Sequence, residues 1–180
     1  MYDIHKLPIH QAFVAETRVH EDSRGRFEVF WEEPNVCGGE IPFRPSNVCH
    51  SYNIATGTLR GIHFQKMPYG QAKVVSCVSG RVWDVMVDLR PDSPSFGGWY
   101  GTELLAGSGR TIYVPAGCGH GFVTLEPNST LAYLIEGDYM PDAGRVLRWD
   151  DPTVAIDWPV EGPTMSDKDA VAPKWNECEF

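Results

Sequence analysis

The chain has 180 residues, 42% hydrophobic and 22% charged, with a formal net charge of -9. That length suits a single domain, residues 1–180, with a sizeable core, and the acidic balance argues against general nucleic-acid binding, which needs a basic surface. The opening MYDIHKLPIHQAF has no basic-plus-apolar leader pattern and no apolar run approaches a membrane span, so a cytoplasmic protein with no membrane partner is expected.

Strand-like segments run the length of the chain. AFVAETRVHED and GRFEVFW flank a turn at Asp22 to Gly25, and EEPNVCGGEIPFRPS, with three prolines and a Gly pair, reads as a loop. NVCHSYNI, TLRGIHFQ, AKVVSCVSG, RVWDVMVDLR, WYGTELL, RTIYVPAG, HGFVTL and LAYLIEGDY then follow, short, β-branched or aromatic, and separated by Gly, Pro, Asn or Ser. Ser79-Gly80 reads as a hairpin turn between two of them. No stretch sustains a helical period, although the last 20 residues have room for a short helix. VVSCV and VWDVMV mix alternation with continuous apolar runs, which predicts strands covered on both faces by a second sheet or a second subunit. The expectation is an all-β sandwich or barrel, and the five cysteines (Cys37, Cys49, Cys77, Cys118, Cys178), widely spaced with no CxxC, read as reduced thiols.

Within TLRGIHFQKMPYGQAK, His63 sits between Ile62 and Phe64 and reads as a metal ligand, a proton-transfer group or a packed histidine. GSGRTIYVPAGCGHGFVT places Gly109, Pro115, Gly117, His120 and Thr124 at a spacing that resembles the second motif of cupins, with Thr in the last place. The stretch corresponding to their first motif offers His63, Gln65, Gln71 and Lys73. An ammonium repels a cation and has no lone pair to give, so a metal site fails on ligand count unless a carboxylate arrives from elsewhere in the chain. A polar pocket with one imidazole placed for proton transfer remains.

The runs DSRGRFEVF, TLRGIHFQ, QAKVVSCVSGRVWDVMVDLRPDSPSFGGW, YVPAGCGHGFVTL and LRWDDPTVAIDWP…MSDKDAVAP together resemble the nucleotide-sugar 3,5-epimerases typified by dTDP-4-dehydrorhamnose 3,5-epimerase, from about Ser23 to Pro173. The resemblance implies a cupin-type jelly-roll β-barrel with a short C-terminal helical or irregular segment. It implies proton removal at carbons 3 and 5 of a 4-keto-6-deoxyhexose carried on a nucleoside diphosphate, with no cofactor and no metal. It also implies a homodimer with exchanged N-terminal strands, for which AFVAETRV is the candidate. Position by position, His63 matches the family's base, Asp169 the carboxylate orienting it, Lys73 the cation beside the carbonyl and Tyr133 the acid on the far face. Arg24, with Arg26 as an alternative, and Arg60 match diphosphate contacts assisted by Lys168, Phe27 and Asn47 match further substrate contacts, and His120 matches a pocket residue that hydrogen-bonds substrate or holds the active-site strands together.

The chain departs from the family at Val29, where a Glu is usual, at Asn47 and Cys49, where Gln and Asn are usual, and at Gly144, where an acid is usual. The resemblance still favours thymidine as the base, with cytidine, uridine and guanosine left open, and inversion at one carbon or two is open as well. Rival readings are a mono-epimerase or ketoisomerase in the same pocket, a metal-dependent cupin dioxygenase, and a sugar-binding cupin without activity.

Overall fold

The computed structural model describes residues 2–30 and 42–180. Thirteen strands form in chain order: β1 Tyr2–Lys6, β2 Phe13–Thr17, β3 His20–Asp22, β4 Gly25–Phe27, β5 Asn47–Asn53, β6 Leu59–Gln65, β7 Ala72–Ser79, β8 Arg81–Asp88, β9 Trp99–Leu105, β10 Arg110–Val114, β11 Cys118–Thr124, β12 Ser129–Glu136 and β13 Gly144–Val146. One helical turn, α1 Asp167–Ala170, lies in the C-terminal segment where room for a short helix was expected. The expected loop at 32–46 lies mostly outside the described residues, as does Cys37.

Two antiparallel sheets face each other, one ordered β1-β2-β10-β7-β12-β5 and the other β13-β6-β11-β8-β9, while β3 and β4 pair only with each other. This is the expected jelly roll. Side chains alternate across a strand, and the inward positions of both sheets meet in an apolar cluster that includes Val75, Cys77, Val82, Met86, Ile112, Phe122 and Leu131. The outward face of the five-stranded sheet is covered by the chain's own C-terminal segment. There Ile62, Phe64, Val85 and Val87 pack with Leu147, Trp158, Trp175 and Phe180. The continuous apolar character of VWDVMV therefore reflects a third layer from the same chain. The Ser79-Gly80 turn does not close a hairpin: β7 pairs with β10 and β12, β8 with β11 and β9, so the turn carries the chain from one sheet to the other. β2, within the stretch expected to cross to a partner, is paired at home between β1 and β10.

One irregularity positions the site. β6 and β11 run in register at His63↔His120, then slip between His120 and Phe122 so that Arg60 pairs with Phe122. In a regular strand, residues 60 and 63 would face opposite sides. The bulge turns both toward the barrel interior, because His120 and Phe122 share a face. It needs glycine on each side: Gly61 has φ +133, and a Cβ there would stand 2.5 Å from Gly121 Cα. A Gly61→Ala change should cost roughly 2–4 kcal/mol through φ strain and backbone overlap. Urea unfolding should show that loss, and an unchanged midpoint would contradict this account of the bulge.

Candidate active site

Below the bulge the barrel interior turns from apolar to polar. A cavity of ≈ 350 Å³ is lined by Arg60, His63, Gln65, Lys73, Lys168 and Asp169, among others. A larger cleft of ≈ 520 Å³ lies between β1, the β1–β2 turn and Pro94-Ser95. The smaller cavity is the functional candidate, because titratable groups of complementary kind converge there.

His63 Nε2 lies 2.7 Å from Asp169 Oδ1. The Asp169 side chain is 4% exposed against 45% for His63, whose open surface faces the recessed cavity. Asp169 is delivered by α1, where Ser166 caps the turn by accepting from Asp169 N at 3.2 Å. Its second oxygen accepts from Gly61 N at 3.5 Å. A carboxylate accepts only, so Nε2 carries the proton and Nδ1 presents its lone pair. Burial holds the imidazole below the usual histidine range, against the opposing pull of Asp169, and nearby Lys73 and His120 push the same way as burial. The ring is therefore neutral and basic at physiological pH.

Lys73 enters from β7 and makes no hydrogen bond or ion pair among the described residues. Burial presses its ammonium down to about 8, opposed by Asp84. Tyr133, on β12, is partly buried and is not among the residues that line the cavity. Burial pushes its phenol far above the usual tyrosine range and Asp84 adds to the effect, so it stays protonated and able to donate. His120 is buried with its Nε2 2.9 and 3.0 Å from the two oxygens of Asp84, and its ring meets that of Tyr133 at 5.9 Å. Arg60 donates from Nε to Asn53 Oδ1 at 2.8 Å, leaving the guanidinium terminus toward the cavity, and Lys168 sits exposed at the mouth.

Three substrate candidates stand apart from this cavity. Arg24 is paired with Asp22 at 2.6 Å at the β3–β4 turn with its side chain 88% exposed, and Phe27 on the same hairpin is 67% exposed. Asn47 opens β5 opposite Ile135 and is exposed, its Nδ2 donating to Ser46 Oγ at 3.1 Å.

Gln65, in the place of a second metal-binding His, is fully engaged in structure. Its Nε2 donates to Tyr69 O at 2.6 Å and Asp138 O at 2.9 Å, and its Oε1 accepts from Met140 N at 2.7 Å. Among the described residues, no three His, Cys, Asp or Glu side chains converge as a metal cage requires. Sequence reading passed over Asp84, whose signal is one acid at an inward position of an otherwise apolar strand. It also passed over Arg145 and Tyr139, which line the cavity from the segment after β12.

The family profile described as dTDP-4-dehydrorhamnose 3,5-epimerase matches residues 6–177. A dTDP-4-dehydrorhamnose 3,5-epimerase of Mycobacterium tuberculosis is 40% identical over 178 residues, covering 96% of this chain and 87% of the relative. A dTDP-4-dehydrorhamnose 3-epimerase of Streptomyces niveus is 48% identical over 113 residues, 63% of this chain and 55% of the relative. The crystal structure of a dTDP-6-deoxy-D-glucose-3,5-epimerase from Legionella pneumophila, in complex with dTDP-4-keto-L-rhamnose, superposes with TM-score 0.92 at 33% identity, covering 99% of this chain and 95% of that one. With a profile match over nearly its whole length and relatives of this identity and coverage, the chain belongs to the dTDP-4-dehydrorhamnose 3,5-epimerase family, isomerases acting on carbohydrates.

Proposed function

We propose that this protein inverts carbons 3 and 5 of a dTDP-4-keto-6-deoxyhexose by moving protons alone. The observation that carries the reading is a neutral imidazole, oriented by a buried carboxylate at 2.7 Å, sharing a cavity with an ammonium that makes no bond within the described protein. Carbons 3 and 5 flank the ketone. Nδ1 of His63 takes a proton from one of them, the C–H electron pair shifts into a new double bond, and charge develops on the C4 oxygen. Lys73 supplies a fixed positive charge to that oxygen, where electrostatic preorganisation is most effective. Tyr133 returns a proton to carbon from the opposite face, which inverts the centre. Solvent then takes the proton from His63 and restores the one on Tyr133, so the cycle closes without a change of oxidation state.

Arg60 and Lys168 at the mouth suit a diphosphate, since guanidinium and ammonium groups are good phosphate donors. The four described cysteines are unpaired, in keeping with a reducing cytoplasm, and no helix among the described residues is long and apolar enough to cross a membrane. A second reading, inversion at one carbon only, is favoured by the Streptomyces niveus relative. Incubating the chain with dTDP-4-keto-6-deoxyglucose, trapping the ketone by reduction and assigning the ring stereochemistry separates the two. Two inverted centres support the double epimerase and one the mono-epimerase. An unchanged sugar would overturn both for the thymidine substrate and direct the assay to CDP-, UDP- and GDP-linked sugars.

The second part of the proposal is a homodimer in which the β3–β4 hairpin serves the other copy's cavity. Its support is that Arg24 and Phe27 are exposed and do not line their own chain's cavity, and that Val48, Tyr52 and Val78 lie exposed on the outward face of the six-stranded sheet. Coexpressing His63→Asn and Arg24→Ala chains tests this. Each variant alone is crippled, but half of the mixed dimers' sites are intact, so roughly a quarter of wild-type activity should return. No recovery, with dimers present, would place Arg24 in its own chain's site.

Two further outcomes follow from the roles. His63→Asn and Tyr133→Phe should each lower kcat by about 10² to 10⁴-fold, with dTDP affinity by calorimetry nearly unchanged. A parallel loss of dTDP binding would assign these side chains to binding. In kcat/KM against pH, His63 must be neutral and its pKa is lowered, so the acidic limb should lie below the ordinary histidine value of about 6.5. Lys73 must be charged, so activity should fall again above about 8. A profile flat from neutral to strongly alkaline pH would remove Lys73 from the reaction.

A further inference from the structure

Asn53 closes β5, an edge strand whose other residues are exposed or half-buried, and it is the one buried position there, at 2% exposure. A buried amide is costly unless both its ends find partners. Its Nδ2 donates to Ser51 O at 3.0 Å and, on the paired strand β12, to Ser129 O at 3.2 Å. Carbonyls only accept, so the amide sits one way round, with Oδ1 turned toward the opposite sheet. There it accepts from Arg60 Nε at 2.8 Å. An arginine Nε only donates, which fixes the same orientation from the other side. Arg60 itself is exposed on β6 and lines the cavity. Among the described residues, its Nη1 and Nη2 make no hydrogen bond or ion pair.

We infer that Asn53 is a positioning residue for phosphate binding: its amide oxygen holds Arg60 by Nε so that both terminal nitrogens are offered to the diphosphate of the substrate. This role rests on the proposed reading of the cavity as a sugar-nucleotide site, and it gives the aiming of the guanidinium to a residue that does not itself line the cavity. An untethered arginine samples many rotamers, and ordering it on binding costs affinity. Held at Nε, the group is ordered before the ligand arrives and presents Nη1 and Nη2 as a two-pronged donor to phosphate oxygens. The neutral partner matters as well. A carboxylate at position 53 would hold the same nitrogen more strongly, yet its charge would offset the cation that the phosphates need. An amide aims the charge and leaves it whole. Lys73, Arg145 and Lys168 line the same cavity, so misaligning Arg60 weakens the anion site without abolishing it.

The test is Asn53→Ser, with thermal unfolding and oligomeric state compared with wild type first. Serine keeps a hydroxyl for a neighbouring carbonyl but is too short to reach Arg60. The dissociation constant for dTDP, measured by calorimetry, should rise roughly 5- to 20-fold. In an Arg60→Ala background the same change should move it less than about twofold, because the group it aims is gone. KM for the ketosugar should rise with kcat nearly unchanged, as for an interaction made equally in ground and transition states. An equal loss of affinity in both backgrounds would overturn the inference, as would a dTDP affinity that Asn53→Ser leaves unchanged. If Asn53→Ser does not fold, the Arg60 Nε–H signal of free wild-type protein, assigned by its loss in Arg60→Lys, carries the test. It should stand apart from the exposed arginines and exchange slowly with water, and a signal averaged with theirs would overturn the inference. Calorimetry with dTDP needs no turnover. The coupling seen in a protein that turns over no ketosugar would therefore sink the proposed reaction and leave the positioning role intact, whereas dTDP affinity indifferent to Arg60→Ala would remove Arg60 from the anion site and the role of Asn53 with it.

Discussion

The hydrogen bond between His63 and Asp169 ties together parts of the chain that lie 106 residues apart. It makes sense only if the C-terminal segment is laid against the outward face of the five-stranded sheet, and the aromatic packing of Trp158, Trp175 and Phe180 does that. Asp151 secures the same segment by accepting from Trp175 N and Thr153 N, each at 2.8 Å. Ser166 then ends the approach with a cap that fixes Asp169 in a single helical turn. A third layer that looks like ordinary core covering is therefore also the support of the proposed base. Loosening it should disturb the orientation of His63 well before it disturbs the barrel.

The second constraint is the placing of charge inside an apolar shell. Two imidazole–carboxylate pairs stand side by side on neighbouring strands, with His63 opposite His120 in the register. One pair faces the cavity and the other is sealed behind it. Lys73 shares the cavity with the first pair, and its partial burial costs stability, while among the described residues it makes no hydrogen bond or ion pair that would occupy it. A hydrophobic residue would pack the same position better, so the site trades stability for a charge placed in advance of the reaction. The bulge at Gly61 belongs to the same economy, because without it the strand could not show both Arg60 and His63 to one pocket.

Much of the molecule was legible in its sequence. β5 to β12 announce themselves by alternation and by Gly, Pro and Asn at their ends, since a pleated strand with one buried face must repeat every second residue. β1 and β13 escaped notice because YDIHK and GRV are too short and too mixed to show a period. Ser79-Gly80 was rightly a turn, yet turn chemistry is local and cannot say which sheet receives the next strand. The candidate site was suggested by spacing and family likeness, and of its members His63 and Asp169 meet as expected. Asp84 was not, because an acid in VWDVMV is ambiguous until the inward face of β8 is known. Arg24 and Phe27 carry a recognisable motif, yet they do not line the cavity, a placement that no sequence pattern states.

The central claim, that His63 removes a proton beside the ketone, is tested most directly by isotope exchange. The protein is incubated with dTDP-4-keto-6-deoxyglucose in D₂O, and the carbon 3 and carbon 5 proton signals are followed by NMR beside an Asp169→Asn control. The account predicts that both signals vanish with turnover and that exchange slows sharply in the control, whose imidazole has lost its orienting carboxylate. Retention of both protons in folded wild-type protein that binds the sugar nucleotide would contradict it.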